Sequence, residues 1–378
     1  MEGVEVKKIL IISMSDISRD PRVKRQVNTL NEHYMVDTLD YGGYASAHRN
    51  YVFYEGYDKK LMKRAAYLKT HQYDKYRNTT FRYTDPHTEY DLIIANDNDS
   101  LPIAFDLKSE AKIIHDAHEF SPEQQSDDLK WKFFMQGYRK WVCKKYLNRC
   151  DKVLTVSDGV ADLYKKAYGI SPEVITSASE YCELSPTKIG MRSDKIRIIH
   201  HGISNPPRKI EKLIEMMGYI NSRYSLTLML VDRAPKYTEK LKKMAWDSSN
   251  SHNISFRNPV PADIIAESTN EYDIGMFIAQ PSNMNLKYTL PNKFFEFVQA
   301  RLMIATGPSP EMEKLIKQYD MGIVSKDFTP KTMAENLNSL SADDIYKYKL
   351  NTDTAAKVLN STENMKRLTN IVKELIGE

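Results

Sequence analysis

Lys152–Gly169 reads KVLTVSDGVADLYKKAYG. Its first part, Lys152–Ser157, is a short apolar run of the kind that makes a parallel strand buried on both faces. Its second part, Gly159–Tyr168, carries a helical pattern. The same alternation recurs on either side. Toward the N-terminus lie the strand candidates Val6–Met14 (VKKILIISM), Asp91–Asn96 (DLIIAN) and Lys112–His115 (KIIH), with a helical pattern over Pro21–Tyr34. Residues 170–193 interrupt the rhythm; they are rich in Ser, Pro and Gly and read as an interdomain linker. Beyond them the strand candidates resume with Lys195–His200 (KIRIIH), Leu226–Val231 (LTLMLV), Asp273–Ile278 (DIGMFI), Met303–Thr306 (MIAT) and Gly322–Ser325 (GIVS). Three helical stretches follow from about Pro330.

Strands alternating with helices predict βαβ units and parallel sheets. The 378 residues exceed one ordinary core and suit two α/β domains of roughly 180 residues each. The expected fold is therefore α/β, with two Rossmann-like doubly wound domains facing a central cleft. We expect an N-terminal domain over 1–180 and a C-terminal domain over 194–358. A terminal helix over 359–378 is expected to pack back on the first domain. Ligands of such sheets bind outside the carboxyl ends of the strands, so function is expected on loops after strands and at helix starts.

Composition excludes several classes. The charged fraction of 28% and hydrophobic fraction of 41% are those of packed domains, not of a disordered chain. A net charge of +4 is weak evidence for a polyanionic partner, and no nucleic-acid motif supports one. Cys143, Cys150 and Cys182 lack metal-ligand spacing and are odd in number, which fits a reducing cytoplasm. The start, MEGVEVKKILIIS, has no signal-peptide apolar region. No window approaches the roughly 20 apolar residues that span a bilayer. The expected location is the cytoplasm, soluble or peripheral on the cytoplasmic membrane face.

Residues 288–298, YTLPNKFFEFV, form the strongest constellation. Pro291 suits the first turn of a helix. On a helical wheel Asn292, Glu296 and Lys293 fall at about 0°, 40° and 100°, while the Phe residues and Val298 fall at about 140° to 300°. Such a helix buries an aromatic face and presents Asn, Glu and Lys in one polar arc. The helix dipole disfavours Lys293 in the first turn. An anion bound there would meet free N–H groups and the ammonium together. Glu296 could accept two hydrogen bonds from a diol such as ribose. An ordinary amphipathic helix with a solvated polar face fits the same pattern.

The segment resembles the donor-site helix of the retaining GT-B glycosyltransferases of family four (glycosyl transferases group 1 type). SRDPRVKRQVNTL, YDLIIANDNDSLPIA, KIIHDAHEFSPEQ and KVLTVSDGVADLYKKAYG resemble successive blocks of that family's first domain. IIHHGISNPPRKIEKLIEMM and LPNKFFEFVQARLMIATGPSPEMEKLI resemble blocks of its second. They occur in family order and cover most of the chain. The resemblance implies transfer of a sugar from a nucleoside diphosphate to a glycan or lipid-linked acceptor with retention of configuration, in cell-surface polysaccharide or glycoconjugate synthesis. It implies no cofactor beyond the nucleotide-sugar co-substrate and no metal. Arg208 and Lys293 match the phosphate-binding cations, Gly202 the glycine that admits backbone to the phosphates, and Glu296 the ribose carboxylate. Tyr288, Leu290 and Asn292 complete the donor segment. His118 matches the histidine near the transferred sugar, where a neutral imidazole is expected, with Asp116 and Glu119 as neighbours or acceptor ligands. Other readings stand beside these: a solvated basic pair for Arg208 and Lys209, a plain turn for Gly202, and a loop-capping structural role for His118.

Three departures matter. Tyr288 stands where many members carry a glutamate that contacts the donor sugar. The first loop, SMSDISRDPR, has no glycine, leaving Ser15, Asp16, Arg19 and Arg22 as polar groups; Arg19 or Arg22 could bind a phosphorylated acceptor or lie on a helix surface. Asp97-Asn98-Asp99 reads as helix capping before Leu101–Leu107 rather than as a metal motif.

Two stretches are basic and aromatic. Residues 59–82 hold eight Lys/Arg and one acid, and residues 130–149 hold seven Lys/Arg and no acid. In the second, Trp131, Phe134, Tyr138, Trp141, Val142 and Tyr146 form a stripe at helical spacing. It either lies on an anionic membrane or packs on the first domain's core. Two further functions compete with transfer: a non-hydrolysing sugar-nucleotide epimerase using His118 and Glu119, and a GT-B binding or scaffold subunit with weakened catalysis.

Overall fold

A computed structural model of the chain describes residues 6–54, 61–190 and 194–377. Lys59 and Lys60 of the first basic stretch, residues 191–193 of the expected linker and the first five residues lie outside these. The chain divides into two compact units. The first runs to Thr176 and takes in Asn283–Asn285 and the chain from Asn364; the second comprises Ser177–Ser282 and Leu286–Glu363.

The first unit holds β1 (Lys8–Ile12), β2 (Met35–Asp40), β3 (Arg49–Val52), β4 (Leu92–Asn96), β5 (Lys112–Ala117), β6 (Lys152–Thr155) and β7 (Glu173–Val174). They form one parallel sheet in the order β3-β2-β1-β4-β5-β6-β7. The second unit holds β8 (Ile196–Ser204), β9 (Tyr224–Asp232), β10 (Ile254–Arg257), β11 (Ile274–Phe277), β12 (Met303–Thr306) and β13 (Gly322–Val324). Their order is β10-β9-β8-β11-β12-β13, again with parallel pairs. Counted from each unit's first strand, both sheets contain the order 3-2-1-4-5-6, which the first sheet continues with a seventh strand. That is the Rossmann order, with its switch point between the first and fourth strands. Each unit is thus a Rossmann-like doubly wound domain.

Sequence patterning missed some elements for physical reasons. β2 reads MVDTLD, and its acids do not advertise burial. Yet Asp37 accepts from Tyr90 Oη at 2.9 Å, and Asp40 accepts the amides of Ile17 and Gly43. A buried carboxylate is tolerated when hydrogen bonds saturate it. β3 and β10 are four-residue strands, and β7, inside the expected linker, has only two. Such lengths carry little periodicity.

The glycine-free first loop is held by side chains. Ser15 donates to Asp20, Ser18 donates to Asp16, and Asp20 caps the helix Pro21–Leu30. Asp97 and Asp99 make no side-chain cap for Ser100–Leu107. The Asp97 carbonyl instead accepts from Ser100, with Asp97 at φ 64°.

The stripe in residues 130–149 divides at Met135 into the helices Leu129–Phe134 and Gln136–Tyr146. Tyr138, Val142 and Tyr146 are buried, with Tyr138 edge-on to Tyr73 and Tyr76. The stripe's part in the second helix therefore belongs to the core of the first unit, whereas the first helix has no buried residue and Phe134 is exposed. Leu129 and Phe133 remain 81% and 67% exposed. Among the described residues no helix is long and apolar enough to cross a membrane.

The closing helix Ser361–Ile376 places Met365, Leu368, Ile371 and Val372 against Ile9, Ile11, Val23 and Val27 of the first unit. In the second unit, β11 approaches the helix Asn292–Gln299 closely. A Cβ on Gly275 would lie 2.3 Å from Cγ of Phe297. That aromatic ring cannot swing aside within a packed core, so Gly275→Ala should destabilise the fold by about 1–3 kcal/mol. The check is a lowered urea midpoint at unchanged m-value; an unaltered midpoint would show that the helix can shift.

Candidate functional site

Two polar clusters stand at strand carboxyl ends, one in each unit. In the second unit the expected strand Lys195–His200 extends to Ser204. His201 and Gly202 therefore lie inside β8, with His200, rather than in a loop after it. Gly202 has φ +126°, a conformation that side chains disfavour. A Cβ there would approach Lys293 Nζ to 3.0 Å. The glycine thus serves both the backbone geometry and the space beside the ammonium.

The helix Asn292–Gln299 buries Phe294, Phe295, Phe297 and Val298, as its wheel predicts. Two details differ from the sequence reading. Pro291 is the N-cap rather than a residue of the first turn, and its carbonyl accepts the Phe294 amide. Lys293 is only 9% exposed, so it is not part of a solvated face. Its ammonium lies 5.3 Å from the Phe277 ring centroid and 3.4 Å from His200 Nε2. His200 Nδ1 faces the Met276 carbonyl at 2.8 Å. That carbonyl can only accept, so Nδ1 carries the hydrogen and Nε2 accepts from the lysine.

Burial, and next the Arg208 guanidinium, push the Lys293 pKa down to about 7, with Glu296 opposing them. Burial lowers Arg208 as well. Among the described residues the Arg208 guanidinium forms no ion pair. Burial and then Lys293 hold His200 well below the ordinary imidazole range and His201 at about 3. His201 is therefore neutral, and the 3.5 Å approach of its Nε2 to Glu296 is no ion pair.

The structure thus brings together Gly202, Arg208, Lys293 and Glu296. Leu290 places its side chain in the core beneath the helix, Asn292 is exposed at the helix start, and Tyr288 is half-buried with the Lys287 ammonium 5.3 Å from its ring. Sequence reasoning missed His200 and His201 as members of the cluster. Two imidazoles directly before Gly202 were the available signal, but burial is what neutralises them.

In the first unit, His118 follows β5. Its Nε2 faces Asn96 Oδ1 at 3.2 Å and Asp116 at 3.7 Å, and its Nδ1 faces Asp97 at 3.5 Å. Burial would lower its pKa, but Asp97 and Asp116 outweigh burial and raise it to about 9. The ring is an imidazolium at neutral pH, in contrast to the neutral ring expected from sequence, because every group facing its nitrogens accepts. Glu119 rises to about 7 through burial and then Asp97.

Asp116 is fully buried and is not placed as an acceptor ligand. Arg22 grips both of its oxygens at 2.7 and 2.8 Å, and Gln26 donates at 2.6 Å. Despite burial, Arg22 and His118 hold the carboxyl below the usual carboxylate range. Arg22 also donates to the carbonyls of Ile175 and Thr176, so it is committed to structure and not to a phosphorylated acceptor. Arg19 is exposed and sits 3.3 Å from Asp16. The two aspartates of Asp97-Asn98-Asp99 turn to different partners, His118 and Arg139.

Comparison with known proteins follows from this geometry. No curated protein matches the chain. Among solved structures the chain is similar to Anabaena HepE in complex with UDP and glucose, at 14% identity and TM-score 0.70, covering 97% of this chain and 100% of that one. It is similar to the sucrose-phosphate synthase of Thermosynechococcus elongatus at 12% identity and TM-score 0.70, covering 98% and 99%. A glycosyltransferase from Rickettsia africae ESF-5 aligns at 14% identity and TM-score 0.69, covering 99% and 100%. Residues 45–179 match the model of Glycosyltransferase Family 4, and the fold of the whole chain is that of the GT-B glycosyltransferases.

Proposed function

We propose that the chain is a glycosyltransferase that moves a sugar from a nucleoside-diphosphate sugar to a glycan or lipid-linked acceptor with retention of configuration, in polysaccharide or glycoconjugate synthesis. The observation that carries this reading is the desolvated Lys293 ammonium beside Arg208. The Arg208 charge adds to the cost of the buried Lys293 ammonium, and a bound diphosphate relieves it. Its negative charge grows as the glycosidic bond to the sugar breaks, so the same two cations stabilise the departing group more than the ground state. Gly202 leaves the space that this anion needs. Glu296 is suited to accept from the two ribose hydroxyls, and the backbone at the start of the helix Asn292–Gln299 adds N–H donors. His118, an imidazolium between Asp97 and Asp116, is suited to place its positive charge near the transferred sugar. UDP and glucose bound to the Anabaena protein support a nucleotide-sugar donor for this chain.

Peripheral membrane contact rests on a smaller surface than the whole aromatic stripe. Leu129 and Phe133 project from a helix that also carries Lys130 and Lys132. Near an anionic surface each such lysine contributes about 1 kcal/mol.

A panel of nucleotide sugars should identify one that is hydrolysed or transferred. With it, Lys293→Met should lower kcat/KM by about 10²–10³-fold, and Glu296→Gln should weaken nucleotide binding by about 10–100-fold. Full activity in both folded variants would sink the assignment. The pH dependence has a definite sign. Lys293 titrates near 7 in the free site, and a bound diphosphate stabilises its charged form and so raises its pKa. Affinity for UDP-glucose, whose diphosphate does not itself titrate here, is greatest below pH 7. It should fall by up to about tenfold per unit above it. Lys293→Met should flatten this profile, and a flat wild-type calorimetric profile from pH 6 to 9 would contradict the role. The full chain should cosediment with phosphatidylserine vesicles and be released by Phe133→Glu. Sedimentation that Phe133→Glu leaves intact would remove this helix from the contact.

A further inference from the structure

The His118 ring is held by a chain of buried amides that the donor chemistry does not use. Asn96 closes β4 and is the register partner of Asp116 on β5. Register partners on neighbouring strands put their side chains on one face of a sheet. The helix Pro21–Leu30 covers that face with Arg22 and Gln26, one turn apart. Gln26, Asn96 and Asp116 are all buried.

Asp116 sets the direction of every bond in the chain. Arg22 grips both of its oxygens and keeps it ionised, and an ionised carboxylate only accepts. The Gln26 amide must therefore turn its nitrogen to Asp116, at 2.6 Å. Its oxygen is left facing Asn96 and accepts from Nδ2 at 3.0 Å. Asn96 then has only its oxygen to offer His118, 3.2 Å from Nε2. An acceptor at that distance requires a hydrogen on Nε2. Each amide has two orientations, and only this combination sets no acceptor against an acceptor. Asp116 does not replace Asn96 as the partner of the ring. Arg22 Nε and Gln26 already fill its Oδ2, and His118 stands 3.7 Å away.

Nδ1 is placed differently. It faces Asp97 at 3.5 Å, and the Asp97 side chain is 36% exposed. A carboxylate there favours a charged ring without locking a hydrogen in place. The other charged or titratable groups around the ring are Asp116, Arg22, Glu119 and the buried His115. Burial and Arg22 oppose the positive charge, and the two aspartates outweigh them.

We propose that Gln26 and Asn96 are positioning residues that carry the polarity of Asp116 to His118, keeping a hydrogen on Nε2 at all times and leaving Nδ1 as the nitrogen that gains and loses the charge of the ring. The placement of the hydrogens stands on bonds within the first unit; its service to sugar transfer rests on the reading given above. Without Gln26, the Asn96 amide is free to turn over and present Nδ2 to the ring. Nε2 then accepts, and the hydrogen of the neutral ring moves to Nδ1.

The test is long-range proton–nitrogen NMR of the full chain, isotopically labelled in histidine and titrated from pH 6 to about 10. His118→Gln identifies the resonances. As the wild-type ring titrates near 9, Nδ1 should move toward the position of an unprotonated nitrogen while Nε2 keeps its hydrogen. In Gln26→Met, which fills the same length but passes on no polarity, the ratio of the Nε2–H to the Nδ1–H tautomer should fall by about tenfold. Asn96→Ala should lower it similarly, and the wild-type titration decides the matter if neither variant folds. Loss of the Nε2 hydrogen in the wild type would overturn the proposal. A ring still doubly protonated at the end of the titration, or a ratio unchanged in both variants, would overturn it as well. Once a donor sugar is found, Gln26→Met should lower kcat by about 3–10-fold with KM nearly unchanged. The expected tautomer without transfer to any acceptor would uphold the relay and overturn the transfer reading. Transfer with Nε2 as the titrating nitrogen would do the reverse.

Discussion

The central strands of both parallel sheets are buried on both faces, so a charged side chain sits near their ends or is saturated by hydrogen bonds, as Asp37 is. β4 is buried along its whole length, and its first charged neighbour beyond the carboxyl end is Asp97. His118 follows β5, and His200 to Gly202 close β8. The parallel arrangement sends these carboxyl ends to one edge of each sheet, where the strand order reverses and a crevice opens. Gly275 and Phe297 set the distance between strand and helix that brings Lys293 to the same edge. The chemistry of both units is a consequence of where a doubly wound sheet allows polarity.

The two clusters deal with buried charge in opposite ways. In the first unit the ions pair among themselves: Arg22 with Asp116, Arg139 with Asp99, and His118 between Asp97 and Asp116. The buried atoms left without a partner there belong to Asn98, Asp99, His115, Ser121 and Arg139. In the second unit Lys293 rests against an aromatic ring and a neutral imidazole, with Arg208 adding like charge. What remains there is excess positive charge in a desolvated place. Low dielectric amplifies both outcomes.

The departures from the family pattern acquire a physical reading on the same terms. A first loop without glycine is stable because Ser15, Asp16, Ser18 and Asp20 tie it with side-chain hydrogen bonds, while Asp40 receives the Ile17 amide. Tyr288, in place of a carboxylate, carries no charge into the segment before the donor-side helix, and the neighbouring Lys287 ammonium lies over its ring. Lys293 and Glu296 follow it in the same segment regardless.

Periodicity and apolar runs alone were enough to determine two α/β units, their main strands, and a helix at Asn292–Gln299 with an aromatic inner face. Those features are local, because burial on both faces writes itself into composition. The order of motifs, read through the family resemblance, also picked out Gly202, Arg208, Lys293, Glu296 and His118. Tertiary structure alone decided what these groups are. Whether Lys293 is a solvated or a desolvated cation depends on Phe277 and His200, which are distant in sequence. Whether His118 is neutral depends on Asp97 and Asp116 facing both of its nitrogens. Whether Arg22 is a ligand or a structural clamp depends on Asp116 lying within 2.8 Å. Charge state, unlike helix or strand, is set by the dielectric and by neighbours brought together through folding, and a linear sequence does not display either.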